Sequence, residues 1–203
     1  MGMSRRFASC ATAGLALILT AAPALAQFSD AYTFLQGVKD RDGDKVQPLL
    51  DKPGAQLVNT RDPSTGESAL HIVAKRHDAS WLTFLLSRGA QPDAKDRQGN
   101  TPLMIAAQGG DTEEARLLLQ AGANPNPINS SGETPLIRAV QHRDLAMVRL
   151  LSSNGADPAI RDTIAGKSAA EYAEEDPRAT AVAQLLAAAK PKKPAANIAG
   201  PVR

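Results

Sequence analysis

The sequence is poor in cysteine, in aromatic residues and in long apolar runs. Its one cysteine, Cys10, leaves no internal disulfide and no cysteine-based metal site. Aromatic residues are 3% of the 203 positions, too few for a core of large rings, so aliphatic side chains, chiefly Ala and Leu, have to fill the interior. The main small-and-apolar run, Ala11 to Ala22, rises about 18 Å as a helix against about 30 Å of bilayer hydrocarbon, too short for a span. A dominant charge is missing too, with 23 basic and 21 acidic residues. What remains is a folding composition, 43% hydrophobic and 22% charged, punctuated by 15 Gly and 14 Pro. That balance favours short helices packed on small residues over a β-sandwich.

Residues 1–26 have the layout of a signal peptide. Arg5 and Arg6 stand in an acid-free start, an apolar stretch centres on Leu15-Ala16-Leu17-Ile18-Leu19, and Ala24-Leu25-Ala26 places small residues at −3 and −1. This predicts cleavage between Ala26 and Gln27. Cys10 precedes the apolar stretch, where a lipid-attachment box cannot work, and Ser4-Arg5-Arg6-Phe7 matches a twin-arginine signal only in part. Loss of Arg5 and Arg6 lowers the basic count to 21, equal to the acidic one. A neutral, cysteine-free mature chain suits the periplasm or secretion, has no membrane span, and is not built for nucleic acid.

Self-comparison reveals a 33-residue period. Thr101-Pro102-Leu103-Met104-Ile105-Ala106-Ala107 recurs as Thr134-Pro135-Leu136-Ile137-Arg138-Ala139-Val140, and earlier as Ser68-Ala69-Leu70-His71-Ile72-Val73-Ala74. Gly89-Ala90, Gly122-Ala123 and Gly155-Ala156 keep the same step, each with Pro (Pro92, Pro125, Pro158) two residues on. Gly66, Gly99, Gly132 and Gly166 mark the approach to each unit. Thr101 and Thr134 are placed to cap a helix with Pro102 or Pro135 at its first position. Gly89, Gly122 and Gly155 sit where a helix ends with positive φ.

Gly99-Asn100-Thr101-Pro102-Leu103, Gly109-Gly110-Asp111, Leu117-Leu118-Leu119 and Gly122-Ala123 together resemble the ankyrin repeat. The resemblance runs from about Phe28 to Ala189. It implies an all-α solenoid of about five stacked helix pairs with β-turn fingers, small residues such as Ala106, Ala107 and Ala139 on the inner helices, and larger ones on the outer helices. The ankyrin-repeat domain, 27–189, divides into an N-terminal cap pair at 28–58, repeats at 59–94, 95–127 and 128–160, and a C-terminal cap pair at 161–189. A basic tail at 190–203, rich in Lys, Pro and Ala, reads as disordered. The family's histidine is kept only as His71; Met104, Ile137 and Glu171 replace it, so those loops are expected to lose its hydrogen bonds. Gly110 becomes His77 and Arg143 at the inter-helix turns, a cost of about 1 kcal/mol each if φ stays positive.

No metalloprotease helix, nucleophile elbow or phosphate loop is present, which speaks against an enzyme and against a bound cofactor. Asp40-Arg41-Asp42-Gly43-Asp44 lacks the Gly position and the closing Glu of a calcium loop and reads as a charged turn. His71 reads as structural, and His77 and His142 occupy different places in their turns, so no metal site is assigned.

What is left is a surface. The resemblance implies partner binding by finger tips and exposed inner-helix ends: Glu67, Lys75, Arg76, Lys95, Arg97, Gln98, Asn100, Gln108, Ile128, Ser130, Ser131, Glu133, Gln141, His142 and Arg161. Cations outnumber acids among them, so the groove is expected to be positive and its partner to be a protein with an acidic patch. The expected role is a non-enzymatic binding module or scaffold in the periplasm of a Gram-negative bacterium. An immunity-type protein that neutralises a toxic effector, or a released host-directed factor, are the alternatives.

Overall fold

A helix start leaves four amides without an intrahelical acceptor, and this chain meets that need at regular intervals. In the computed structural model, which describes residues 22–52 and 57–188, the helices are α1 (Ala22–Asp40), α2 (Gly43–Leu50), α3 (Ala69–Lys75), α4 (Ala79–Ser87), α5 (Pro102–Gly109), α6 (Thr112–Gln120), α7 (Pro135–Gln141), α8 (Leu145–Ser153), α9 (Ala169–Glu175) and α10 (Thr180–Ala188). Most of the expected leader, Cys10 included, and the tail at 190–203 lie outside the described residues, while α1 runs across the Ala26–Gln27 bond. None of the described helices is long and apolar enough to cross a membrane.

Thr101 Oγ1 accepts from the Met104 amide at 3.4 Å and Thr134 Oγ1 from the Ile137 amide at 3.2 Å, with Pro102 and Pro135 in the first turn. The outer helices use aspartate. Asp42, Asp78, Asp111 and Asp144 each accept the amide three residues on, at the starts of α2, α4, α6 and α8. These four caps follow the repeat but are not singled out by the sequence comparison above.

The helices form two layers. α1, α3, α5, α7 and α9 touch in succession, as do α4, α6, α8 and α10. Ala69, Ala74, Ala106, Ala107 and Ala139 are buried between inner helices, where a larger side chain would hold the backbones apart. Leu82, Leu85, Leu118 and Leu151 are buried under the outer ones, each worth about 1.5–3 kcal/mol of transfer free energy. Trp81 and Phe84 on α4 meet edge to face at 5.7 Å. At the far end a 3₁₀ turn, Pro177–Ala179, joins α9 to α10.

Successive fingers are tied backbone to backbone. The Arg97 amide donates to Thr65 O, Ser130 to Gln98 O and Thr163 to Ser131 O, at 2.9–3.0 Å. Glycine is needed at the seats of these contacts. A Cβ on Gly66 would stand 2.8 Å from Arg97 N, and one on Gly132 would stand 2.7 Å from Thr163 N, both at positive φ. Among the described residues no finger follows the last one, and a Cβ on Gly166 would meet nothing within 4 Å.

The inter-helix turns keep the left-handed backbone at His77 (φ 56) and Arg143 (φ 56), and Arg41 (φ 59) joins them. Each of these side chains reaches an aspartate of the next repeat. Arg41 Nε lies 2.9 Å from Asp78, His77 Nδ1 3.5 Å from Asp111, and Arg143 Nε 2.7 Å from Asp176. The strained turn residue therefore links repeats. Gly110 is the member of the column with no side chain to reach with.

Candidate functional site

The finger and inner-helix side is built from short segments whose tips project because their bases are fixed. Asp96 Oδ1 accepts the amides of Gln98 and Asn100, and Asn129 Oδ1 those of Ser131 and Glu133. In the last finger Asp162 Oδ1 takes the amides of Ile164, Ala165 and Gly166, and Oδ2 takes the Tyr172 hydroxyl. Burial pushes the Asp162 carboxyl up, but these donors outweigh it and hold it below the usual range, while the bond to Asp162 pushes Tyr172 up to about 12.

Lys75, Lys95, Arg97, Gln98, Gln108, Ile128, Ser130, Gln141, His142 and Arg161 are exposed on this side, and Ser131, Glu67 and Glu133 are half-buried. Two expected contact residues are corrected. Asn100 is 4% exposed: its amide donates to Asp96 and Gln98, and its Oδ1 accepts from Asn129 and Arg138. It is part of the frame, not of the free surface. Arg76 turns back towards α1, bonding Val38 O at 2.7 Å and Lys39 O, and it also bonds the nearby Asp78.

The expected positive charge also narrows. Lys75 pairs with Glu67 and Arg161 with Glu171. Lys95 and Arg97 have no carboxylate partner among the described residues; they bond the carbonyls of Ile128 and Pro63. Sequence comparison misses Arg61, which donates to Lys95 O at 2.6 Å as Lys95 donates to Ile128 O one repeat on. It is visible once the finger Asp62 to Gly66 is seen to be one residue longer than Asp96 to Gly99. Arg138 is missed as well. In phase with Ile72 and Ile105, it ties Gln108, Asn100 and Glu133 together across α5 and α7. A cleft of ≈ 230 Å³ between the ends of α3 and α5 is lined by Ala74, Lys75, His77, Ile105, Gln108 and Gly109.

His71 is buried, accepts the Ser68 amide at Nδ1 and contacts Asn100 O through Nε2 at 2.9 Å, which places its proton on Nε2. Burial lowers its pKa, so the ring stays neutral. Glu171 corrects the expectation that its loop loses these bonds, because its carboxylate accepts the Ser168 amide at 2.8 Å in a capping box. Glu114 at the start of α6 is buried, and burial, followed by the charge of Asp111, pushes it up to about 8.

Two overlapping matches to the profile described as ankyrin repeats (3 copies) cover residues 35–126 and 70–162, more than half of the sequence. The chain belongs to the ankyrin-repeat family. Repeats of this family mediate protein–protein binding and are typically non-enzymatic. The chain is 35% identical over 75 residues to oxysterol-binding protein homolog 1 of Saccharomyces cerevisiae, covering 36% of this chain. It is 36% identical over 64 residues to diacylglycerol kinase iota of Mus musculus, covering 32% of this chain. In each case the match spans 6% of the relative's length.

Proposed function

We propose that this ankyrin array is an exported protein-binding module. In this reading the leader is removed before Gln27, the array works in the periplasm, and its finger and inner-helix side holds a protein that presents an acidic patch. One observation carries the choice of partner. Lys95 and Arg97, on the same central finger, are exposed and have no carboxylate among the described residues to neutralise them. Gln98 on the same finger and Ile128 and Ser130 on the next are exposed too and add apolar area and hydrogen-bonding groups. Such a cationic centre steers an acidic partner and sets its register more than it sets bulk affinity.

The test is capture from a periplasmic extract by the full chain expressed with its own leader. The recovered bait should begin at Gln27, and capture should fall with salt, as the Debye length shrinks from about 10 Å at 0.1 M to about 3 Å at 1 M. Lys95→Glu with Arg97→Glu should weaken capture with little change in melting temperature, because exposed changes usually stay within about 0.5 kcal/mol. Reversal of Arg116 and Arg149 on the outer helices should leave it intact. Loss of capture only in the outer-helix variant would move the interface to the other side, and a bait that retains residues 1–26 would refute export by cleavage.

A further inference from the structure

Glu114 stands where the neighbouring repeats place Trp81 and Met147. It is fully buried, and neither carboxylate oxygen makes a well-formed hydrogen bond; the one backbone amide close enough to favour its charge, that of Asp78, donates to Val73 O at 3.2 Å. A buried acid that satisfies none of its lone pairs calls for a reason, since its neighbours fill the same place with apolar volume at no such cost. Arg76 lies near enough to act on it, but its two terminal nitrogens bond Asp78 and two carbonyls of α1, and its buried Nε makes no hydrogen bond, to Glu114 or to any other group.

Two further donors converge on the same spot. Asp111 caps α6 through Oδ1, which accepts the Glu114 amide at 3.0 Å, and this leaves Oδ2 turned to His77. The imidazole lies in the space left by Gly109, where a Cβ would come within 2.5 Å of Cε1. One ligand atom from each of His77, Asp111 and Glu114 lies within 4.8 Å of the other two, and this is the only such trio among the described residues. Ligands of a tetrahedral zinc at about 2.1 Å stand about 3.4 Å apart, a gap that small side-chain rotations close. The equivalent junctions cannot do the same. Arg41 and Arg143 offer no lone pair, and Gly110 has no side chain.

We infer that His77, Asp111 and Glu114 bind a divalent transition-metal cation of the zinc class, which clamps the second helix pair to the third. One imidazole with two carboxylates suits zinc and its first-row neighbours, whereas calcium and magnesium prefer all-oxygen sites. With three protein ligands and a half-exposed imidazole, one coordination position faces solvent.

The experiment uses the full chain without a histidine tag, stripped with chelator, dialysed, and titrated with zinc chloride by calorimetry. One equivalent should bind, and the melting temperature should rise with zinc concentration, as for any ligand held only by the folded state. Calcium chloride should bind much more weakly. Glu114→Gln and His77→Asn should each weaken zinc at least about tenfold, the lower end of what loss of even an outer partner costs. His142→Asn should change nothing. Melting in chelator shows that each variant is folded before its affinity is read. Zinc affinity unchanged in folded Glu114→Gln, calcium binding as tight as zinc, or no zinc binding by the unaltered chain would each overturn the assignment.

Discussion

His71 shows how one side chain joins two repeats. Its ring accepts from Ser68 within its own repeat and contacts the Asn100 carbonyl of the next, so it is needed neutral. Burial holds its folded-state pKa below the unfolded value of about 6.5. The unfolded chain therefore takes up the proton first, so the stabilising contribution is complete above about pH 6.5 and is lost as the pH falls below it. Denaturant titrations between pH 7.5 and 5.5 should show stability falling more steeply in the wild type than in His71→Asn. Equal slopes would mean that the ring is protonated in place. At this scale the sequence is informative wherever a residue answers to its own backbone. Thr101, Pro102 and Gly89 take the places that local capping rules assign them. Asn100 does not, because its burial depends on Asn129 and Arg138, which arrive from another repeat.

The fingers divide one glycine pattern into two physical causes. Gly132 and Gly166 both have positive φ, but only Gly132 faces the backbone of a following finger. Gly166→Ala should cost the left-handed penalty alone, about 1 kcal/mol. Gly132→Ala should cost clearly more, because Thr163 N would have to move away. Chemical denaturation of the two variants decides it, and equal losses would show that the finger seat is soft. The spacing of these glycines is plain in the sequence. The neighbour that makes one of them irreplaceable is not, since it is a contact between elements. The same holds for the cations: Lys75 and Arg161 read as free charge until folding brings Glu67 and Glu171 beside them.

At the scale of the whole molecule, stability passes through contacts between adjacent repeats. Leu118 is fully buried in α6, between the outer helices on either side. Leu118→Ala should lose about 2–5 kcal/mol. Because a solenoid's repeats support one another only through their neighbours, the loss at this central position should lower the melting of the whole array, not of one segment. An unchanged melting curve would contradict the packing. The architecture is legible in the sequence because a repeat states its rule several times. The Glu114 cluster is stated once, at a single junction, and becomes visible only when two repeats are set side by side.

The links between successive fingers also bear on how such a surface changes over time. Arg97, Ser130 and Thr163 are bound to the preceding tip through their amides, and any residue except proline supplies an amide. Arg97 adds a guanidinium bond to Pro63 O, but the side chains of Ser130 and Thr163 are released from the task of holding the fingers together. A lineage can exchange them one by one and sample new partners without first restoring its fold. A randomised set of tips on this frame would be a repertoire of surfaces presented by one unchanging backbone.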